Sequence, residues 1–214
     1  MKGIMLKDLY DNFYIKKNLL SYIFGVGFIL VCLVLSPTTY SFILFAELLP
    51  CILGSAALES ATEQDEKASF DRLQISFPVT KGEIILAKYL LALFFHAAAN
   101  LISVCFLLAH VYIWGTVTLA QGIQVCLLGA GIALAFTALS YVFFFLLGKK
   151  AATVIYVIIA MVIAMVYGSA ASIYGLEEFL ALDKWMPALI LIPAAFVLYG
   201  LSCLLSIQIY KRKY

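Results

Sequence analysis

Hydrophobic and polar residues in this chain are arranged in long blocks. Six apolar runs, each close to the ~20 residues that a helix needs to cross a bilayer, are separated by polar intervals. The runs cover residues 19–35, 40–58, 84–114, 122–147, 151–173 and 185–210. This pattern predicts an all-α fold, a six-helix transmembrane bundle that forms a single domain over residues 1–214.

The longest polar stretch between two apolar runs lies at residues 59–80. Ser60 is followed three residues later by Glu63, which is the spacing of a capping box and predicts a helix start. Thr80 and Glu83 repeat this spacing and predict that the next apolar helix begins there. We therefore expect a separate helix in this stretch, then a break, and then a restart into the third apolar run.

A narrow apolar stripe runs along the helix that is predicted within residues 59–80. Phe70, Leu73 and Phe77 recur at helical spacing among charged residues. Pro78 ends this helix, because the residue before a proline is pushed out of the α-helical conformation. Any cytoplasmic loop of a membrane protein carries solvated charge, but a merely solvated loop has no need of an apolar face. The stripe favours a helix that docks against another protein.

Residues 1–18 precede the first apolar run and mix charged side chains with apolar ones at helical spacing. The apolar members are Leu6, Leu9, Tyr10 and Phe13. This pattern predicts an amphipathic helix that lies at the cytoplasmic membrane interface, with its lysines near the lipid headgroups. The alternative is a frayed polar tail before the first span.

Composition and charge support an integral membrane protein. Of the 214 residues, 65% are apolar and 12% are charged, whereas a soluble domain has about 25% charged residues.

Six spans place both termini, residues 59–88, Lys149 and Lys150 on one side of the membrane. That side carries 13 of the 14 lysines and arginines, and Lys184 lies on the other. The positive-inside rule then predicts that both termini are cytoplasmic.

The sequence carries no recognisable catalytic or nucleotide-binding motif. It lacks a phosphate-binding G-x-x-x-x-G-K-S/T loop, an H-E-x-x-H pair, and paired cysteines at metal-binding spacing. We therefore expect a protein that is not an enzyme, with no catalytic residue and with no metal or cofactor bound by this chain.

Glu47 is the one carboxylate inside an apolar run. A charge there is costly unless it faces a cavity, a partner group or protein, so Glu47 is a candidate residue of a substrate path. The alternatives are a structural carboxyl bonded to another helix, and a helix end that lets the group reach water. Pro50, three residues later, frees a backbone carbonyl of the same helix.

His96 and Asn100 form an H-x-x-x-N pair on one helix face. Intramembrane proteases of the CAAX type combine such a face with Glu-Glu-x-x-x-Arg, but Glu177 and Glu178 are not followed by that arginine. An intramembrane protease is therefore disfavoured. We expect His96 and Asn100 to hydrogen-bond to each other or to a neighbouring helix.

Residues 73–90, LQISFPVTKGEIILAKYL, resemble a loop of the small ABC-2 type permeases. In that family the loop carries a basic residue, a Leu-Pro-containing segment, and a basic residue with tyrosine at the start of the third span. The equivalents here are Arg72, residues 77–81, and Lys88 with Tyr89; Phe77 for Leu and Lys81 for Arg are mild departures. These permeases are membrane subunits of bacterial ABC exporters, including those for phenol-soluble modulins and for peptide-antibiotic immunity.

The resemblance implies that residues 59–80 are a cytoplasmic coupling segment, and that its helix, Glu59–Pro78, is a coupling helix seated in a groove of a separate ATP-binding subunit. The coupling residues are then Glu63, Glu66, Phe70, Arg72, Leu73, Phe77 and Lys81. It also implies two paired permease chains, identical or different, and two ATP-binding subunits that hold ATP and Mg²⁺. The protein would export an amphipathic peptide or similarly apolar molecule across the bacterial plasma membrane. The alternative is a stand-alone channel or a structural or sensor membrane protein.

Overall fold

The computed structural model describes residues 2–35, 37–67, 79–175 and 185–213, and its regular secondary structure in these ranges is entirely helical. The α-helices are α1 Lys2–Phe13, α2 Lys16–Leu35, α3 Thr39–Lys67, α4 Lys81–Ala109, α5 Leu119–Leu147, α6 Lys149–Tyr174 and α7 Trp185–Lys213. A π-helical turn, His110–Trp114, extends α4. The predicted all-α class is confirmed, and each of the six apolar runs lies on a helix.

Three helical segments in the described ranges are long and apolar enough to cross a membrane. They are Lys81–Trp114, Leu119–Leu147 and Trp185–Lys213. Two shorter apolar helical stretches, Thr39–Ser55 and Lys150–Val162, lie in α3 and α6. The apolar composition and these spans make the chain a membrane protein, and the count of six spans remains a prediction.

Helix α5 lies at the centre of the fold and packs against α3, α4, α6 and α7. Helix α4 also packs against α3 and α7, while α1 lies against α3 and α4. Three tyrosines on α4, α5 and α7 meet in the core. The rings of Tyr141 and Tyr199 approach Tyr89 edge-on at centroid distances of 5.0 and 5.1 Å, which is a favoured arrangement for aromatic pairs.

The helix start predicted at Ser60 is wrong, because α3 continues from Thr39 through Ser60 to Lys67. No glycine or proline occurs between Gly54 and Lys67 to stop the helix, and extending a formed helix is easier than nucleating a new one. The start predicted at Thr80 is confirmed. The Thr80 hydroxyl accepts from the Glu83 backbone N–H at 3.2 Å, and the Glu83 carboxylate accepts from the Thr80 N–H at 2.8 Å.

Helices α3 and α5 approach most closely at a glycine. A methyl group on Gly129 of α5 would overlap the carbonyl oxygen of Ala46 on α3. Pro50, inside α3, lacks the N–H that would normally donate to that carbonyl four residues earlier. The proline therefore frees a backbone oxygen, and the absent side chain of Gly129 lets α5 lie directly against it.

His96 of α4 contacts both α3 and α5. Its Nε2 lies 2.9 Å from the Thr137 hydroxyl of α5, and its ring occupies the space that a side chain at Gly54 of α3 would need. The Asn100 amide donates to the His96 backbone carbonyl at 2.8 Å. The expectation that these two residues bond to each other or to a neighbouring helix is confirmed.

Candidate functional site

Lys88 and Tyr89, adjacent on α4, are both buried. Consecutive residues of an α-helix point about 100° apart, so one side chain faces α1 and α3 while the other faces α7. Together they connect α4 to four other helices through polar contacts. We refer to these two residues and their polar partners as the Lys88–Tyr89 junction.

The Lys88 half of the junction is a buried ion cluster. The Lys88 ammonium lies 3.3 Å from a carboxylate oxygen of Asp8 on α1 and 3.1 Å from one of Asp65 near the end of α3. All three side chains are at most 6% exposed. Removing one partner of a buried ion pair costs about 3–5 kcal/mol, because the other charge stays buried. The cluster therefore constrains how α1, α3 and α4 sit together.

Lys7 is the second cation of the cluster and lies nearer the surface. Its ammonium is 3.2 Å from Asp8 and 3.1 Å from Asp11, and it donates a hydrogen bond to Asp65. Burial alone would lower the pKa of Lys7, but the Asp8 charge and the contact with Asp65 outweigh burial, so its pKa is raised. Lys7 therefore stays protonated in this site.

The three carboxylates of the cluster also lie close enough together to be considered as metal ligands. The ammonium groups of Lys7 and Lys88 already contact them, so lysine side chains take the position that a cation would take. The geometry is that of an ion-pair network.

Helix α1 buries its polar face. Asp8 and Asn12 are fully buried, whereas Leu6, Tyr10 and Phe13 are 67, 55 and 44% exposed. The Asn12 amide donates to the Asp8 carbonyl at 2.7 Å, and the Tyr22 hydroxyl of α2 donates to the Asn12 side-chain oxygen at 2.7 Å. The helix predicted near the N-terminus is present. Its exposed apolar side chains, Leu6, Tyr10 and Phe13, suit an interfacial helix, whereas Ile4 and Leu9 pack against the core.

The Tyr89 half of the junction is a chain of hydroxyl groups. Ser202 of α7 donates to the Ala138 carbonyl of α5 at 2.6 Å. A hydroxyl has one proton, so Tyr89 must donate to Ser202, at 2.7 Å, and Ser206 to Tyr89, at 2.8 Å. The Tyr199 hydroxyl also donates to the Tyr89 carbonyl at 2.7 Å. Tyr89 thereby bonds α4 to α7 directly, and Ser202 extends the chain to α5.

The coupling residues predicted from the sequence lie largely beyond the described part of the chain. Phe70, Arg72, Leu73 and Phe77 fall outside it, and Glu63 and Glu66 are placed in α3 by their backbone alone. Lys81 is the first residue of α4. These assignments remain predictions.

Glu47, the candidate residue of a substrate path, is buried in α3 with 4% of its surface exposed. Its backbone lies beside Gly129, where α3 and α5 are in close contact. The carboxyl group is therefore enclosed by protein, and whether it lines a path is untested.

Sequence reasoning identified Lys88 and Tyr89 as motif residues but missed their partners. Asp8 and Asp65 are 57 positions apart, and Ser202 lies more than 100 positions beyond Tyr89. The available signal was the charge pattern of α1, where two aspartates recur at i and i+3 between lysines. This spacing marks a charged helix face, but not what that face contacts.

The fold and the junction together define an all-helical integral membrane protein. Its N-terminal helix forms ion pairs with Asp65 of α3 and with Lys88 of α4, on either side of residues 68–78. A family model described as ABC-2 family transporter protein matches residues 3–211. The chain therefore belongs to the ABC-2 transporter family and is the permease component of an ABC transporter. Permeases of this family generally pair with an ABC ATP-binding subunit. No curated protein and no solved structure matches the chain.

Proposed function

We propose that this permease belongs to an ATP-driven exporter that moves an amphipathic peptide or another apolar molecule out of the cytoplasm or the inner leaflet. ATP and Mg²⁺ are bound, and ATP is hydrolysed, by a separate subunit. The family match supports the transport role. The lack of a phosphate-binding loop in the sequence supports assigning ATP hydrolysis to a partner.

The proposed assembly contains two permease chains, identical or different, and two ATP-binding subunits in the bacterial plasma membrane. Both termini and residues 59–80 face the cytoplasm in this proposal. The distribution of lysine and arginine supports the orientation, since 13 of 14 lie on one side of a six-span topology.

The observation that carries the proposal is that the Lys88–Tyr89 junction joins the two helices that flank residues 68–78, the middle of the coupling segment. Asp65 lies two residues before the end of α3, and Lys88 lies seven residues after α4 begins at Lys81. A movement imposed on residues 68–78 by a docked subunit therefore reaches the same ion cluster from both directions. Tyr89 then passes the displacement of α4 to α7, and Ser202 passes it on to α5.

Within this scheme the seven coupling residues named above make the contacts with the ATP-binding subunit. Phe70, Leu73 and Phe77 supply the apolar anchors, since a few large buried side chains usually provide most of the affinity of an interface. Glu47 is the candidate polar group of the substrate path. Because it is buried where α3 and α5 touch, it can meet a substrate only when that contact opens.

The assembly is tested by co-purifying the chain with an ABC ATP-binding subunit encoded beside it. Truncation of an anchor such as Phe70 to alanine should weaken binding by about 1–3 kcal/mol. Arg72→Ala should have a smaller effect if that charge lies on a solvated rim. Unchanged binding and transport after replacing both Phe70 and Leu73 would reject the coupling assignment.

Transport itself is tested with inside-out vesicles and a fluorescent amphipathic helical peptide. Uptake should require ATP and the partner subunit. Tyr89→Phe should reduce uptake while the partner still binds, because the variant loses the hydroxyl chain and keeps the coupling segment. Peptide or ion flux through the purified chain alone would instead favour a stand-alone channel.

A further inference from the structure

An apolar cavity of about 420 Å³ lies between α3, α5 and α6. This volume is within the ~300–1,000 Å³ of typical small-molecule sites. Its walls include Cys51 and Ile52 of α3, Phe136 of α5, and Tyr156 and Met161 of α6. None of the lining residues in the described part of the chain is charged, so these residues would hold a ligand by apolar contact.

Among the described wall residues, the one hydroxyl group belongs to Tyr156, and its hydrogen-bond partner lies outside the cavity. The Ser55 hydroxyl of α3 lies 3.2 Å from the Tyr156 hydroxyl of α6, and it is also within hydrogen-bonding distance of the Cys51 carbonyl at 2.7 Å. The Tyr156 ring packs against the Phe136 ring at a centroid distance of 5.0 Å. The cavity therefore presents ring faces and alkyl groups, and its polar atoms are turned toward neighbouring helices.

One edge of the cavity is continuous with the outer surface of α6. Val157 and Met161 line the cavity and are also 43 and 55% exposed. The same outer face carries Val154, Ile158, Val162 and Met165, all more than half exposed. An exposed apolar helix face on a membrane protein is suited to contact with lipid hydrocarbon. The cavity thus opens where acyl chains are the most abundant apolar molecules.

We propose that this cavity binds one acyl chain of a bilayer lipid, inserted between α3 and α6. A chain of methylene groups matches a long apolar wall that offers no group to orient a polar ligand. Met161 is flexible and polarizable, which suits a mouth that must fit chains of different length. The bound chain fills the gap between α3 and α6 and holds α6 beside α5.

The test uses the full chain in proteoliposomes that contain a phospholipid with a photoreactive diazirine in its acyl chain. Crosslinks mapped by mass spectrometry should concentrate on Cys51, Ile52 and Tyr156. Ala160→Phe, which places a ring in the cavity, should lower this labelling roughly tenfold, because methylene burial is lost. Ala194→Phe on the exposed surface of α7 is the matched control and should leave the labelling unchanged.

A second variant distinguishes loss of the lipid site from misfolding of the protein. Met161→Trp changes an exposed residue at the mouth and should also lower labelling of Cys51, while circular dichroism reports an intact fold. Labelling spread evenly over α6 and α7 and insensitive to both cavity variants would mean ordinary surrounding lipid and would overturn the proposal. Crosslinks between two copies of the chain through Met161 in place of lipid adducts would overturn it as well.

Discussion

At the level of single residues, Lys88 is a buried cation held between two buried carboxylates. Lys88→Met should destabilise the protein by about 3–5 kcal/mol, because Asp8 and Asp65 lose a shared cation inside the fold. Thermal unfolding in detergent measures the loss. Lys81→Met, seven residues earlier on the same helix, is the control and should shift the melting temperature much less.

The cause of that loss can be separated from a simple packing defect. If the excess negative charge left beside Lys7 is responsible, adding Asp65→Asn to Lys88→Met should recover part of the stability, since Asp65 and Lys88 are in direct contact. Strictly additive losses in the double variant would contradict an ionic role for the pair.

The raised pKa of Lys7 predicts how the stability of the protein depends on pH. Its pKa is raised above 10.5 in the folded protein by the neighbouring aspartates, despite burial. A raised pKa means that the stabilisation by Lys7 is complete below the unfolded value and is lost as pH rises through the folded value. The melting-temperature difference between the wild type and Lys7→Met should therefore stay constant up to about pH 10 and shrink above it. A melting-temperature difference that stays constant at higher pH would show that the ammonium charge of Lys7 does not stabilise the protein.

At the level of helices, the contact between α3 and α5 depends on Gly129. Gly129→Ala should destabilise the protein by about 1–3 kcal/mol, because the added methyl group overlaps the Ala46 carbonyl oxygen and forces the helices apart. Gly200→Ala on α7 has open space around it and should be neutral or stabilising by about 0.5–1 kcal/mol. Melting of the two variants side by side measures the difference; equal effects would rule out a close approach.

The existence of the helices was readable from the sequence, since long apolar runs and a local capping box at Thr80 specify them. The continuation of α3 through Ser60 was not readable, because Ser60 and Glu63 are as compatible with a helix interior as with a start. The ion cluster was also hidden, because it joins residues on three separate helices. Periodicity shows which face of α1 is polar, and only packing shows that this face is turned inward.

At the level of the whole molecule, the six-span topology awaits a direct test. A single cysteine at position 180 should react with an impermeant maleimide in intact cells, and one at position 149 should be spared, in a background without the native cysteines. The reason is the concentration of positive charge on the side that holds position 149. The reverse labelling pattern would overturn the topology and, with it, the cytoplasmic placement of the coupling segment.

The adjacency of Lys88 and Tyr89 limits the motions open to α4. Because their side chains leave the helix about 100° apart and are held by different neighbours, turning α4 about its own axis would pull at least one of them from its partners. Sliding or tilting together with α1, α3 and α7 preserves both attachments. Helix α4 should therefore move as part of a rigid block, and the hinge of any transport cycle should lie outside that block.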